Sequence, residues 1–131
     1  MKTQAKQHFV YETPSPGVRV VRFNRPQYNS EIFDYHPVKN SPVYQELHDS
    51  ALAGLSAGDT VIINFGLIES FTSMFYSLLL AVRETVQGCN ARLVLCRLTP
   101  VVKECIDLFH GEKLFELQET ESRAVSEASS K

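Results

Sequence analysis

The feature that most constrains the fold is the alternation of short apolar runs with helical segments that begin at recognisable caps. The runs Val61–Ile63 and Leu93–Leu95 are continuously apolar, which is typical of strands covered on both faces of a sheet. Between them, from Phe75 to Val86, apolar residues recur at spacings of three and four, the period of an amphipathic helix that Thr72 or Ser73 can cap. This β-α-β order predicts an α/β fold with helices packed on a sheet.

The N-terminal part of the chain predicts strands of a different kind. His8–Glu12 and Val18–Phe23 are rich in β-forming residues, and a Pro-Ser-Pro-Gly turn ending at Gly17 separates them. Such a short connection predicts an antiparallel hairpin, so the sheet is mixed. Arg19 and Arg22 fall on opposite faces of the second strand and form no common basic patch.

Two further helices are predicted from a cap residue followed by proline, at Ser41-Pro42 and at Thr99-Pro100. After the first cap, Val43, Leu47, Ala51 and Leu55 recur every four residues, and Gly58 ends the helix. After the second cap, the predicted inward stripe consists of Val101, Cys105, Leu108 and Phe109. The run Leu93–Leu95 is the centre of a strand expected over Arg92–Cys96. The remaining expected elements are a strand at Leu114–Leu117 and a last helix at Glu121–Ser129 with Ala124 and Ala128 inward.

Together these elements predict an α/β fold with a single mixed sheet of about four to five strands, an N-terminal hairpin and about four helices. The chain of 131 residues has the length of one domain, which we expect to span residues 1–131. Residues 24–41 form a long connection with a turn expected near Ile32-Phe33, and residues 129–131 are expected to fray.

Composition excludes several classes of function. The net charge is −2 with no basic block, so no nucleic-acid partner is expected. The longest nearly apolar stretch, Phe71–Val82, is shorter than the about 20 residues of a membrane span, and the N-terminus lacks the apolar core of a signal peptide. Three cysteines without disulfide spacing indicate a reducing compartment, hence a cytoplasmic protein.

The motifs of common enzymes and metal sites are missing from the sequence. The six glycines form no phosphate-binding loop, and neither Cys105 with His110 nor Cys89 with Cys96 has zinc-ligand spacing. Ser73 stands at a strand-to-helix junction without the G-x-S-x-G context of a hydrolase. We therefore expect no catalytic residues, no metal ligands, no cofactor and no enzyme activity.

From Val61 to Ala128 the sequence resembles STAS domains, the family of sulphate-transporter C-terminal domains and anti-sigma-factor antagonists. The segments that carry the resemblance, in chain order, are Val61–Gly66, Gly88–Leu95, Thr99–Leu108, Lys113–Leu117 and Glu121–Ala128. Pro16–Phe23 is similar to the family's opening strand. The resemblance implies a STAS-like fold and a non-catalytic regulatory module that binds another protein, such as an anti-sigma factor or a kinase.

The family's signature, Asp-Ser-Ser-Gly, stands at the start of the second helix, and its second serine is the phosphoacceptor in anti-sigma antagonists. Aligned from Asn64 without a gap, the signature falls on Thr72, Ser73, Met74 and Phe75. Met74 then occupies the acceptor position and has no hydroxyl; a one-residue shift puts Ser73 there but requires a gap. The resemblance implies a partner-docking surface at 72–75, with Ser73 or Thr72 as candidate phosphosite. A simple N-cap role for Ser73 stays open.

Two other hypotheses follow from the residues themselves. In the first, the chain is a small α/β ligand-binding domain or enzyme, with residues 24–42 as a lid and Tyr28, Phe33 and Tyr35 lining a pocket. In the second, the exposed edge of the hairpin pairs with a second copy of the chain to form a homo-oligomer.

Overall fold

The computed structural model describes residues 3–28 and 37–129, which are organised around one mixed sheet. Its strands lie side by side in chain order: β1 (Thr3–Ala5), β2 (Phe9–Ser15), β3 (Val18–Phe23), β4 (Thr60–Asn64), β5 (Arg92–Cys96) and β6 (Glu116–Gln118). The first three strands pair antiparallel, and β3 to β6 pair parallel. The predicted mixed sheet with an N-terminal antiparallel hairpin is confirmed.

The sheet has one strand more than the upper end of the predicted range, and the additional strand is β1. Its residues Thr3–Ala5 are all exposed, so they carry no apolar alternation that a sequence pattern could reveal. Backbone pairing with Val10, Tyr11 and Glu12 of β2 holds β1 in place. The hairpin edge predicted to pair with a second copy is therefore covered by β1. The sheet now ends in two strands of three residues each, and such short edges limit pairing between chains.

The hairpin between β2 and β3 turns at Gly17, which has a φ of +78°. A Cβ at this position would lie 3.1 Å from Oδ1 of Asp59, so glycine fits both the backbone conformation and the space. The Gly17 carbonyl accepts a hydrogen bond from the N–H of Thr60 at 2.8 Å. The turn therefore also fixes the start of β4 against β3.

The helices are α1 (Pro42–Leu47), α2 (Ser73–Gly88), α3 (Pro100–Leu108) and α4 (Glu121–Ser129), with short 3₁₀ turns at Val38–Asn40 and Gly111–Lys113. Ser41 caps α1 as predicted, because its hydroxyl oxygen accepts from the N–H of Tyr44 at 3.1 Å. The bounds of β5 and α4 match the predicted ranges. Among the helices of the described residues, none combines the length and the apolar character that crossing a membrane requires.

The prediction that α1 continues to Leu55 is wrong. The α-helical part ends at Leu47, a π-helical turn follows over His48–Leu52, and Ala53 is already extended. The guanidinium of Arg19, on β3, donates to the carbonyls of Ala51 and Ala53 at 2.9 Å each. This contact from a distant strand satisfies the last carbonyls of the helix. A four-residue repeat along the sequence cannot reveal it.

The two faces of the sheet carry different cores. On one face α1, α2 and α3 cover a large core that includes the rings of Phe9, Phe23, Tyr28, Phe65 and Phe75. On the other face α4 covers a smaller cluster of Val18, Val20, Ile62, Val94, Cys96 and Ala124. Arg19 and Arg22 lie on opposite faces as predicted, since the first contacts the end of α1 and the second contacts α4.

The carboxylate of Glu121 fixes the start of α4 to the sheet. It accepts from Nε and Nη2 of Arg22 at 2.7 and 2.6 Å and from the side-chain amide of Asn64 at 2.9 Å. The hydrogen bonds from Arg22 hold the pKa of Glu121 below its ordinary value. Arg22 also donates to Glu12 on β2 at 2.9 Å, so one side chain ties three elements together.

The long connection from Asn24 to Ser41 is described at its two ends. Ile32, Phe33 and Tyr35 lie outside the described residues, so the predicted turn and most of the lid hypothesis are untested. Tyr28 is 1% exposed and packs among the rings of the core. Its hydroxyl donates to the carbonyl of His8. The expectation that Tyr28 lines a pocket is therefore wrong.

Candidate functional site

The start of α2 is formed as the sequence predicts. Thr72 is the N-cap residue, with an extended backbone, and its hydroxyl oxygen accepts from the N–H of Phe75 at 3.3 Å. The Thr72 carbonyl accepts from the N–H of Tyr76 at 3.0 Å, which closes the first turn. Thr72 is half-buried. Its hydroxyl thus has a defined structural task, the satisfaction of one of the otherwise unpaired N–H groups at the start of a helix.

Ser73 is the first residue of α2 and is exposed. Its carbonyl accepts from the hydroxyl of Ser77 at 3.2 Å, while the cap is supplied by Thr72. Among the two capping candidates of the sequence, the structure therefore selects Thr72. The Ser73 hydroxyl lies in solvent beside the first turn of a helix of 16 residues, where the helix dipole favours negative charge.

The other two residues of the predicted site differ from Ser73. Phe75 is 2% exposed and packs against Phe71, Phe23 and Tyr28, with ring-centroid distances of 4.9, 5.4 and 5.9 Å. Its role is to anchor the first turn of α2 in the core, so it offers no surface to a partner. Met74 lies in the same turn, and its side chain is outside what the structure describes.

Next to Ser73 an open groove of about 340 Å³ runs between the start of α2 and helix α3. We call it the α2–α3 groove. The residues that line it are Phe71, Ser73, Val101, Glu104, Cys105, Leu108 and Phe109. Its walls are mainly apolar, and burial raises the pKa of the Cys105 thiol, so that thiol stays uncharged at neutral pH. Glu104 is the charged group at the rim.

The groove opens onto an exposed apolar surface. Leu108 is 72% exposed and Phe109 is 42% exposed, and the ring of Phe109 lies 4.8 Å from that of Tyr76 on α2. Leu80, one turn after Tyr76, is 37% exposed, and Leu114, whose carbonyl accepts from Arg83 of α2, is 41% exposed. Of the six exposed large hydrophobic residues in the described part of the chain, Leu80 lies on α2, Leu108 on α3, and Phe109 and Leu114 in the segment that follows α3.

The prediction that Val101, Cys105, Leu108 and Phe109 form the inward stripe of α3 is wrong, and this surface therefore has no counterpart among the predicted features. The buried residues of α3 are Val102 and Ile106, Val101 and Cys105 are half-buried, and Leu108 and Phe109 face solvent. Successive residues of a helix are about 100° apart, so two apolar stripes that differ by one residue are equally regular in sequence. The excess of apolar residues over what one face can bury is the signal that could have revealed the surface.

The remaining candidate chemistry is not brought together at this groove. Burial raises the pKa of the Cys96 thiol to about 12, and Cys96 belongs to the small core under α4. Within residues 3–28 and 37–129, no cluster of three or more His, Cys, Asp or Glu side chains could hold a metal ion. A second open cavity of about 300 Å³, lined by Arg22, Asn64, Gly66 and Arg97 among others, lies at the carboxyl ends of β3 to β5.

Comparison with solved structures identifies the fold of this chain. No family model matches the sequence, and no curated protein matches it. Among solved structures, a crystal structure from Thermotoga maritima, assigned as an anti-sigma factor antagonist, superposes with a TM-score of 0.74 at 14% identity, covering 92% of this chain and 94% of that one. The chain has the STAS fold. The sequence-based expectation of a STAS-like fold is thereby confirmed.

Two further structures share the STAS fold over nearly their whole length. An anti-sigma-factor antagonist (STAS) domain protein from Planctomyces limnophilus gives a TM-score of 0.69 at 17% identity, over 91% of this chain and 97% of that one. An NMR structure of the Thermotoga maritima protein gives 0.67 at 16% identity, over 100% and 96%. At such identities the likeness establishes the STAS fold, and the function of this chain has to be argued from its own surface.

Proposed function

We propose that this protein is a non-catalytic regulatory module that binds a partner protein through a docking surface formed by the start of α2 and the α2–α3 groove. The observation that carries the proposal is the mainly apolar α2–α3 groove beside Ser73, whose wall includes the exposed side chains of Leu108 and Phe109. Contiguous exposed apolar surface on a soluble domain marks an interaction site. The STAS fold and the names of the structures that share it support a regulatory role.

The partner that fits this proposal is a regulatory protein, such as an anti-sigma factor or a kinase. Two of the solved structures that share the fold bear the name anti-sigma factor antagonist. The family signature aligned on residues 72–75 falls in the first turn of α2, next to the groove. A partner that binds this turn also reaches the apolar surface of α3, since Phe71 and Ser73 line the groove together with Leu108.

Ser73 is the proposed phosphosite of this surface, with Met74 at the family's usual acceptor position. The Ser73 hydroxyl is exposed, whereas the Thr72 hydroxyl accepts the capping hydrogen bond from Phe75. A phosphate on Ser73 would lie at the positive end of the α2 dipole and add about −1.5 to −2 charge to the edge of the groove. Phosphorylation would then change the affinity of the docking surface without a change of fold.

The docking surface is tested by substituting Leu108. Leu108→Asp places a charge on the wall of the α2–α3 groove and, at 72% exposure, is expected to leave the fold intact. The control is Leu67→Asp, at a residue that is 55% exposed and lies at the carboxyl-end cavity instead. The partner is isolated from the native cells with the wild type, purified, and its dissociation constant measured by calorimetry. We expect loss of binding for Leu108→Asp and for Met74→Asp; unchanged binding would refute the docking surface.

The phosphosite is tested by intact-mass spectrometry after incubation with an extract of the native cells and ATP. We expect one phosphate on the wild type and none on Ser73→Ala, with Thr72→Ser as a variant that keeps the cap and the phosphate. If Ser73→Ala still carries a phosphate, the phosphosite is another residue. If the wild type carries no phosphate, Ser73 has no regulatory role, and the docking surface remains a separate question.

A further inference from the structure

We infer that the segment of the partner that enters the α2–α3 groove is an amphipathic helix whose flank is rich in lysine or arginine. The inference rests on the proposed docking function and adds the chemistry of the occupant. Three observations on this side of the molecule carry it: the apolar walls of the groove, the lack of a pairing edge there, and two unpaired carboxylates on the outer side of α3.

The groove favours a helix because it offers apolar contacts but no backbone partners. It is built from side chains of two helices and of the segment that ends at Thr72, while the edges of the sheet are at β1 and β6. A strand laid in the groove would leave its N–H and C=O groups without partners, which is costly once water is excluded. A helix satisfies its own backbone and inserts side chains spaced three and four residues apart.

The negative charge at the rim of the groove favours a positively charged flank on that helix. Glu104 lines the groove, and Asp107 lies nearly one turn further along α3, lining an adjoining cleft with Glu104 and Lys103. Both carboxylates are exposed, and neither forms an ion pair with any residue in the described ranges. Two carboxylates against the single amine of Lys103 leave this rim negative. Opposite charge on a partner increases both specificity and association rate.

The other end of the surface is close to neutral. It carries one charge of each sign near Tyr76, Glu112 and Arg83, while the pKa of Tyr76 itself is raised mainly by burial. Arg83 is also held by the carbonyl of Leu114, to which its Nε donates at 2.9 Å. The basic flank of the partner helix is therefore expected at the Glu104 end, and its apolar side chains at Leu108 and Phe109. This asymmetry gives the bound helix one preferred orientation.

Three synthetic helical peptides test the inference. They share one leucine stripe and carry lysine, glutamine or glutamate at the same flanking positions. Each is titrated into the ¹⁵N-labelled full chain, and the amide shifts of α2 and α3 report the site and the dissociation constant. We expect the lysine peptide to bind about tenfold more tightly than the glutamate peptide at low ionic strength. The difference should disappear at about 1 M salt, where the screening length is about 3 Å.

A charge-matched pair of variants completes the test. Glu104→Lys should reverse the order of the lysine and glutamate peptides. Asp49→Lys makes the same change of charge at an exposed position on the π-helical turn after α1 and should leave the order unchanged. Equal affinities of the three peptides, no binding at all, or shifts confined to other elements would each overturn the inference. The docking surface itself is decided separately, by whether Leu108→Asp loses the purified partner.

Discussion

Helices α3 and α4 have the same length of nine residues but meet solvent in opposite ways. Helix α4 is attached to the sheet by three of its side chains: Ala124 is buried, Glu121 is held by Arg22 and Asn64, and Glu127 accepts from Arg92 at 2.7 Å. Helix α3 buries Val102 and Ile106 and still leaves Leu108 in solvent. Helix α4 therefore contributes mainly to the stability of the fold, while α3 also exposes apolar surface that can contact another molecule.

The difference between the two helices is tested most directly by placing the same charge on each of them. Ala124→Asp buries a carboxylate at a position that is 2% exposed among the aliphatic residues of the small core, and we expect a loss of about 4 kcal/mol in the free energy of unfolding. Leu108→Asp, at 72% exposure, should change that free energy by less than about 0.5 kcal/mol. Urea titration of both variants measures the difference, and comparable losses would contradict the distinct roles of the two helices.

The polar attachment of α4 predicts a specific dependence of stability on pH. Because the pKa of Glu121 is lower in the folded chain than its ordinary value, its contribution is present above about pH 4.3 and is lost as the pH falls through the folded pKa. Glu121→Gln should cost about 2 kcal/mol of unfolding free energy at pH 7. The variant should also lose less stability than the wild type between neutral and acidic pH.

The measurement is a series of thermal or urea unfolding curves at several pH values. Glu104→Gln is the matched control, since Glu104 is an exposed carboxylate on α3 that forms no ion pair with any of the described residues, and its removal should leave the acid limb unchanged. An equal acid sensitivity of Glu121→Gln and the wild type would show that the Arg22–Glu121 pair does not stabilise α4.

An element is predicted correctly from the sequence when the contacts that define it lie close together along the chain, and incorrectly when they come from residues far apart in sequence. Helix α4 and β5 match their predicted ranges because period and cap signals are local. The end of α1 depends on Arg19 of β3, and the edge strand β1, whose own residues are all exposed, depends on backbone pairing with β2. Neither contact leaves a pattern in the surrounding sequence.

The site was predicted in part for the same reason. Local signals at a helix start predict a cap at Thr72 or Ser73, and the structure places the cap at Thr72 and leaves Ser73 exposed. The burial of Phe75 depends on where Phe23 and Tyr28 lie in the folded chain. The orientation of α3 depends on which of two regular stripes fits the core, so the sequence shows an excess of apolar residues but does not show that Leu108 is the exposed one.

A smaller effect is expected where α3 ends. A Cβ on Gly111 would lie 2.9 Å from both Cγ2 of Ile106 and the hydroxyl of Tyr76, so Gly111→Ala should cost about 1–2 kcal/mol of unfolding free energy. The Tyr76 hydroxyl is buried without a hydrogen-bond partner in the described part of the chain. Tyr76→Phe should therefore be nearly neutral.

The double variant distinguishes this steric account from a general sensitivity of the region. Removing the Tyr76 hydroxyl relieves one of the two contacts, so Gly111→Ala combined with Tyr76→Phe should be more stable than Gly111→Ala alone. Strict additivity of the two changes in urea unfolding would contradict the contact. Because neither residue lines the groove, binding to the partner should be kept in all three variants.

The smallest predicted effect compares a serine at the start of α2 with one at the end of α4. Ser73→Asp puts a negative charge at the positive end of a helix dipole and should raise the unfolding free energy by about 0.5 kcal/mol. Ser129→Asp puts the same charge at the negative end of α4, and it removes the hydroxyl contact with Ser15 at 2.8 Å, so it should lower that free energy by a similar amount.

The same two variants also differ in their expected effect on peptide binding. If the groove binds a basic helix, Ser73→Asp should increase the affinity for the lysine peptide about threefold, whereas Ser129→Asp, on the opposite face of the sheet, should not change it. If Ser73→Asp is more stable than the wild type but binds the lysine peptide with unchanged affinity, the charge at residue 73 affects the stability of α2 and not the binding of the peptide.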